Sequence, residues 1–227
     1  QYGDAVGNPN SPQGLEYQQI LGDFNKTLGG YRANSLMDVG LSFSLGNQIA
    51  KQKATWGYNF AFTYKNETEF YQDAEYNLYA KPREADQTEL EPLERQRGDF
   101  GVNNVLLGGL AGIALKTDNS KFKLNLMHLQ NGESKAADFA FINTNLGANF
   151  EARQYNLEYS QRGLTSILLA GTHYLNGNDW EINWKLAPTR STISDPDIRF
   201  TRFREPTNTV STEVGLPARI WRDLEEY

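Results

Sequence analysis

The chain has 227 residues, no cysteine, and 28 acidic against 22 basic side chains, for a formal net charge of −6. That excludes disulfides, thiolate metal sites and cysteine nucleophiles, and gives no electrostatic reason to expect a nucleic-acid partner. Mean hydropathy is −0.62, and no run approaches the roughly 20 apolar residues of a membrane-spanning helix. What remains is 12% aromatic residues and 20 glycines spread through alternating patterns, the composition of an all-β chain.

In chain order, residues 1–33 read as an irregular region, with short helical turns expected over 14–32. Met37, Val39, Leu41, Phe43 and Leu45 then alternate with Asp38, Gly40, Ser42 and Ser44, and a polar turn follows over Gly46 to Lys53. The clearest segment is Trp56 to Lys65. Trp56, Tyr58, Phe60, Phe62 and Tyr64 fall on one side of a strand, and Gly57, Asn59, Ala61, Thr63 and Lys65 on the other. Trp and Tyr take the ends of that row and Phe its middle. Eight steps of about 3.3 Å at a tilt of about 40–45° rise roughly 20 Å, close to the apolar band of an outer-membrane barrel.

Val105, Leu107, Gly109, Ala111, Ile113 and Leu115 mark a third strand whose other face is less polar. After a turn at Thr117 to Ser120 come Phe122, Leu124 and Leu126, alternating with Lys123, Asn125 and Met127. Trp180, Ile182, Trp184 and Leu186 alternate with Glu181, Asn183 and Lys185, entered through the hairpin composition Asn176-Gly177-Asn178-Asp179. Short turns at 46–53, 117–120 and 176–179 therefore alternate with long polar stretches at about 66–100, 132–150 and 190–222. In a meander threading a membrane, turns are short on one side and loops long on the other. Keeping that alternation makes Ala152 to Leu175 one long strand, with a bulge expected near Gly163.

The expected fold is thus an antiparallel up-and-down transmembrane β-barrel, present in part. Six strands occupy 34–193, residues 1–33 form an extracellular loop region, and 194–227 form an extracellular loop leading to the next strand, with helical turns over 215–227 outside the wall. Lipid-facing are Leu41, Phe43, Trp56, Tyr58, Phe60, Phe62, Tyr64, Trp180, Ile182 and Trp184. Lumen-facing are Asp38, Ser42, Asn59, Thr63, Lys65, Lys123, Asn125, Glu181, Asn183 and Lys185, because polar groups are costly in hydrocarbon and must meet water or protein.

The blocks LMHLQNGES (126–134), LEYSQR (157–162), WEINWKLAPTRS (180–191), DPDIR (195–199) and GLPARIWRDL (215–224) resemble TonB-dependent outer-membrane receptors of the Bacteroidota type, in family order over most of the chain from Ser35 onward. The resemblance implies a barrel of about 22 strands plugged by an N-terminal globular domain. It further implies import of a scarce ligand with energy passed through TonB. Nothing in the chain matches the plug, the TonB-contacting peptide or the terminal aromatic strand. The resemblance therefore points to an early-to-middle slice of the barrel, with plug and TonB engaged through parts outside it. The implied location is the bacterial outer membrane. The implied partners are membrane lipid, the protein's own plug and a surface lipoprotein or complex partner.

Other constellations have plainer readings. His128 and His173 lack metal-ligand spacing and read as structural. Asp195-Pro196-Asp197 with Glu205 reads as a proline-fixed turn rather than a calcium site. Gly108, Gly109 and Gly112 lie inside a strand and read as room for curvature or close approach. Tyr71, Tyr76 and Tyr79 are the candidates for stacking on a ligand, and Trp221 beside Arg219 and Arg222 is a further loop candidate. The leading function is a transport barrel for a glycan, peptide or metal chelate, with no cofactor and no catalysis. An adhesin or scaffold barrel is the alternative. A hydrolase using either histidine with a serine finds no supporting spacing.

Overall fold

A computed structural model describes residues 7–23, 26–82, 88–143, 150–175, 177, 179–204, 209–210 and 219–226. Among the described residues the chain is all-β and antiparallel apart from its N-terminal helical region, in which α1 (Pro12–Asp23) is capped at its first turn by Ser11: its Oγ accepts the Gly14 N–H at 3.0 Å. The strands are β1 (Val39–Lys51), β2 (Ala54–Glu75), β3 (Leu78–Ala80), β4 (Glu91–Thr117), β5 (Ser120–Asn143), β6 (Phe150–Leu175), β7 (Trp180–Leu186), β8 (Thr189–Arg204), β9 (Thr209–Val210) and β10 (Arg219–Glu226). All belong to one sheet with the path β1-β2-β4-β5-β6-β8-β10; β3, β7 and β9 pair with β4, β6 and β8. The sheet is open, with β1 and β10 at its two ends.

Ala152 to Leu175 lies within a single strand, as the alternation of turns requires. Elsewhere the strands outrun the sequence pattern. The first turn shrinks to Gln52 and Lys53, because β1 stays paired down to Lys51 opposite Ala54. The stretches read as long polar connections are largely strand: β2 runs on to Glu75, β4 starts at Glu91, β5 reaches Asn143, and β8 covers 189–204. Residues 219–226 are also strand, paired with β8, rather than helical turns. Each added residue extends an existing hydrogen-bonded ladder without closing a new loop, so an apolar stripe is not needed to continue it.

β7 and β8 behave as one strand broken at Ala187-Pro188. Proline cannot donate to the ladder, yet its carbonyl accepts the Ile167 N–H at 3.0 Å, so pairing with β6 resumes on both sides. The bulge expected near Gly163 occurs elsewhere. Gly163 pairs regularly with Thr192, and the register shifts between Tyr159 and Gln161, where β8 carries the extra residue. That extra residue lies in Asp195-Pro196-Asp197, so the segment read as a turn is a proline-bearing bulge within β8. Glu205 is outside the described residues.

A second bulge in β2, between Tyr71 and Ala74, places Asp73 at φ 59°. Arg97 donates from both Nε and Nη2 to the Asp73 carboxylate, and this hydrogen bond holds the Asp73 pKa below its ordinary value. A depressed carboxylate stabilises the fold above its unfolded pKa of about 4 and loses that contribution as pH falls through the folded value. Amide protection around residues 71–75, taken relative to the intrinsic exchange rate at each pH, is therefore expected to fall below about pH 4 in the native chain. In Asp73→Asn this acid-dependent step should vanish.

Buried apolar side chains lie far from the hairpin turns. Val102, Ala137, Phe139, Phe141 and Ala152 are buried at the distal end of the sheet, whereas all 13 residues of β1 and all 7 of β7 are exposed.

Candidate functional site

Directly opposed residues of an antiparallel pair project to the same side, so the register sorts the side chains into two faces. Face A collects Leu41 opposite Tyr64, Phe43 opposite Phe62 and Leu45 opposite Phe60, then Trp56 opposite Leu115 and Tyr58 opposite Ile113. It continues through Leu124 opposite Ile113 and Leu169 opposite Leu124 to Trp180, Ile182 and Trp184 opposite Leu175, His173 and Gly171. Every residue expected to face lipid is on this side. Face B collects Ser42 opposite Thr63, Asn59 and Asn125 flanking Gly112, Lys65 opposite Leu106 and Lys123 opposite Ala114. Glu181, Asn183 and Lys185 join it opposite Tyr174, Thr172 and Ala170. Asp38 precedes β1, and its Oδ1 accepts the Thr68 backbone N–H at 2.8 Å.

Face A carries an oblique apolar belt. Its upper limit is Val39 on β1, opposite Asn66, but Leu186 on β7, which the register links through Leu169, Leu124 and Ile113 to Tyr58. The belt thus slips eight residues over five strand-to-strand steps. At about 3.3 Å per residue and 4.8 Å per strand, that is about 26 Å along the strands over about 24 Å across them, a tilt of about 45°. The belt lies bare: Leu41 is 61% exposed, Phe43 55% and Trp180 68%. Contiguous exposed apolar patches beyond a few hundred Å² are rare on soluble monomers.

Face B is polar where face A is greasy. Asn183 donates to Glu181 Oε1 and accepts from Thr172 Oγ1, both at 2.7 Å, and Lys65 pairs with Glu67 at 2.5 Å. A Cβ at Gly112 would collide with the amide oxygens of both Asn59 and Asn125, and one at Gly108 would meet Thr63 and Leu129. These glycines make room for neighbouring side chains.

Beyond the belt the two faces change character. Residues 27–32 cross face A as a strap: the Thr27 carbonyl accepts from Arg199, Gly30 sits against Ala136 and Leu157, and Arg32 pairs with Asp99. On face B an aromatic wall forms. Tyr71 stacks on Phe100 with ring centroids 6.1 Å apart, and Tyr76 meets Phe100 and Phe139 edge-on at 6.1 and 5.4 Å. The Tyr71 hydroxyl donates to Glu69 Oε2 at 2.6 Å, which raises its pKa. Arg202 lies over Phe141, 4.1 Å from the ring centroid.

Two of the three loop tyrosines therefore share a partner, Phe100. Tyr79 stands apart in β3, accepting from Asn77 Nδ2 at 3.3 Å. The Trp221 backbone pairs with Ile198 in β10, and its side chain lies outside the described residues. Phe139, Phe141, Gln154 and Arg202 were not singled out from sequence. The alternation in ADFAFI (137–142) and TRFR (201–204) is the only signal for Phe139, Phe141 and Arg202, and Gln154 has none.

The histidines serve packing on face A. His128 Nδ1 bonds Thr165 Oγ1 at 2.8 Å, while His173 lies eight register positions further along β5, opposite Ser120, roughly 26 Å away. His173 does form a Ser–His pair, with Nδ1 3.0 Å from Ser120 Oγ. However, Trp184 Nε1–H donates to His173 Nε2 at 3.0 Å. A neutral ring then carries its hydrogen on Nδ1 and donates to the serine, the reverse of a general base.

The chain matches no family model, no curated protein and no solved structure.

Proposed function

We propose that this sheet is part of the wall of a bacterial outer-membrane β-barrel, with face A against lipid and face B lining a wet interior. The observation that carries the reading is the oblique belt. An apolar stripe on one face, bounded by tight hairpins at one end and crossed by strands tilted about 45°, fits the 35–45° strand tilt and apolar band of outer-membrane barrels. β4, with 27 residues, spans about 85 Å along its axis, so at such a tilt the strands project well past an apolar band about 25 Å tall. The distal half of the sheet is then the water-exposed end.

Within that frame the reading we favour is a segment of a TonB-dependent importer for a nutrient such as a glycan, peptide or metal chelate. It draws on the sequence blocks that resemble those receptors and on the aromatic wall of Tyr71, Tyr76, Phe100 and Phe139, which faces the interior. Lipid, a plug and TonB are the partners, the last two through other parts of the protein.

Single cysteines at Asn59, Thr63, Phe60 and Phe62 test the facing in reconstituted bilayers, since the native chain has none. A membrane-impermeant maleimide should label Asn59→Cys and Thr63→Cys at least about tenfold faster than Phe60→Cys and Phe62→Cys, since only a wet face presents thiolate to a polar reagent. Equal labelling of the two sets would sink the membrane reading.

A further inference from the structure

Arg202 is held in place by its neighbours on face B. β8 presents it on face B opposite Gln154, which is 3% exposed. The Gln154 Oε1 accepts from Arg202 Nε at 2.5 Å, and Gln154 Nε2 donates to Gln96 Oε1 at 3.3 Å, so a relay across β4, β6 and β8 fixes the guanidinium plane. Phe141, fully buried, supports that plane from below. The two Nη groups make no hydrogen bond among the described residues.

The charge is only partly compensated. Burial is the main reason the Arg202 pKa is lowered; the negative charge of Glu94 offsets part of that, and the positive charge of Arg219 lowers it by a smaller amount. Glu94 forms no ion pair with Arg202 among the described residues, and its Oε1 is taken up by Asn143 Nδ2 at 2.8 Å. Arg219 lies opposite Phe200, two residues from Arg202 on the same face, within diagonal reach. Two guanidinium groups that repel one another, one half-buried and preorganised with its paired donors open, form a receptor for a planar anion. Beside them the buried rings of Phe141 and Phe139 lead to the exposed ring of Tyr76, the part of this row that a ligand can reach.

We propose that Arg202 and Arg219 bind the carboxylate of a ligand whose flat ring body packs against the exposed ring of Tyr76, at the open edge of the Phe141–Phe139 row. This rests on the reading that face B is wet, and it narrows the ligand class to ring-bearing carboxylic acids.

Sodium benzoate, benzamide, acetate and sulfate serve as probes in titrations of the full chain in detergent micelles. Benzoate should bind about tenfold or more tighter than benzamide, the worth of a charge-assisted pair. Acetate and sulfate, lacking the ring, should bind more weakly than benzoate. Arg202→Gln and Arg219→Gln should each shrink the benzoate preference, and the double variant should abolish it. Arg202→Lys, which keeps the charge and tests folding, should retain part of it. Equal binding of benzoate and benzamide, or a preference that survives the double glutamine variant, overturns the proposal, as does sulfate or acetate matching benzoate. Maleimide labelling at Asn59→Cys reports on the wet face independently, so loss of one result leaves the other interpretable.

Discussion

Phe60→Arg is expected to block membrane assembly, whereas Asn59→Arg, one residue away, is tolerated. Phe60 lies mid-belt on face A, opposite Leu45 and Ala111, and Asn59 lies on face B opposite Gly46 and Gly112. Arginine on the lipid face near the bilayer midplane costs about 2–4 kcal/mol and nearly nothing at the interfaces. The oblique belt makes the effect position-specific. Tyr64→Arg sits at the edge on β2 and should cost about 0–1 kcal/mol. At the same register level as Phe60, the belt on β6 already ends with Ile167, opposite Leu126. Ile167→Arg is therefore expected to be milder than Phe60→Arg even though the two residues share a row. The yield of folded, heat-modifiable protein in vesicles reads all four. Equal losses along the whole row would mean that the belt follows the hydrogen bonds and that no tilt exists.

Phe141→Ala is expected to loosen the distal sheet while sparing the belt. Phe141 is 0% exposed and forms the buried cluster with Ala152. Truncating a buried Phe costs about 3–5 kcal/mol, and the cation–π support of Arg202 goes with it, about 1–2 kcal/mol more where the cation is partly desolvated. The loss should be confined, because the belt strands are held by separate ladder pairing and by lipid in the proposed setting. Amide protection should fall over 96–102, 137–143 and 152–158 and persist over 56–64 and 107–115. Uniform loss across both regions would show that belt and distal sheet unfold as one unit. Phe62→Ala, on the exposed face A, should cost less.

The period-two alternation carried most of the belt. Wherever one strand face was apolar and the other polar, as in Trp56–Lys65 and Trp180–Leu186, the facing of each side chain followed from sequence, since a one-residue slip would exchange the faces. The alternation of short turns and long connections likewise kept Ala152–Leu175 as one strand. The pattern failed past the belt because both faces there are polar or mixed. Residues 66–75, 132–143 and 190–204 read as loops, yet pairing to a strand already in place carries them on. Pro196 pointed to a turn locally and sits at a bulge instead, where, as at the strand break of Pro188, a missing N–H is tolerated.

Composition and alternation by themselves determined an antiparallel all-β chain with one apolar and one polar face, because side-chain facing in a strand is a local property. Tertiary register alone decided the obliquity of the belt and the meeting of Tyr71 and Tyr76 with Phe100 and Phe139. It also decided the placing of Arg202 on Phe141 beside Gln154. Those features depend on which residues of distant strands lie opposite one another, a non-local quantity that no single strand's pattern encodes.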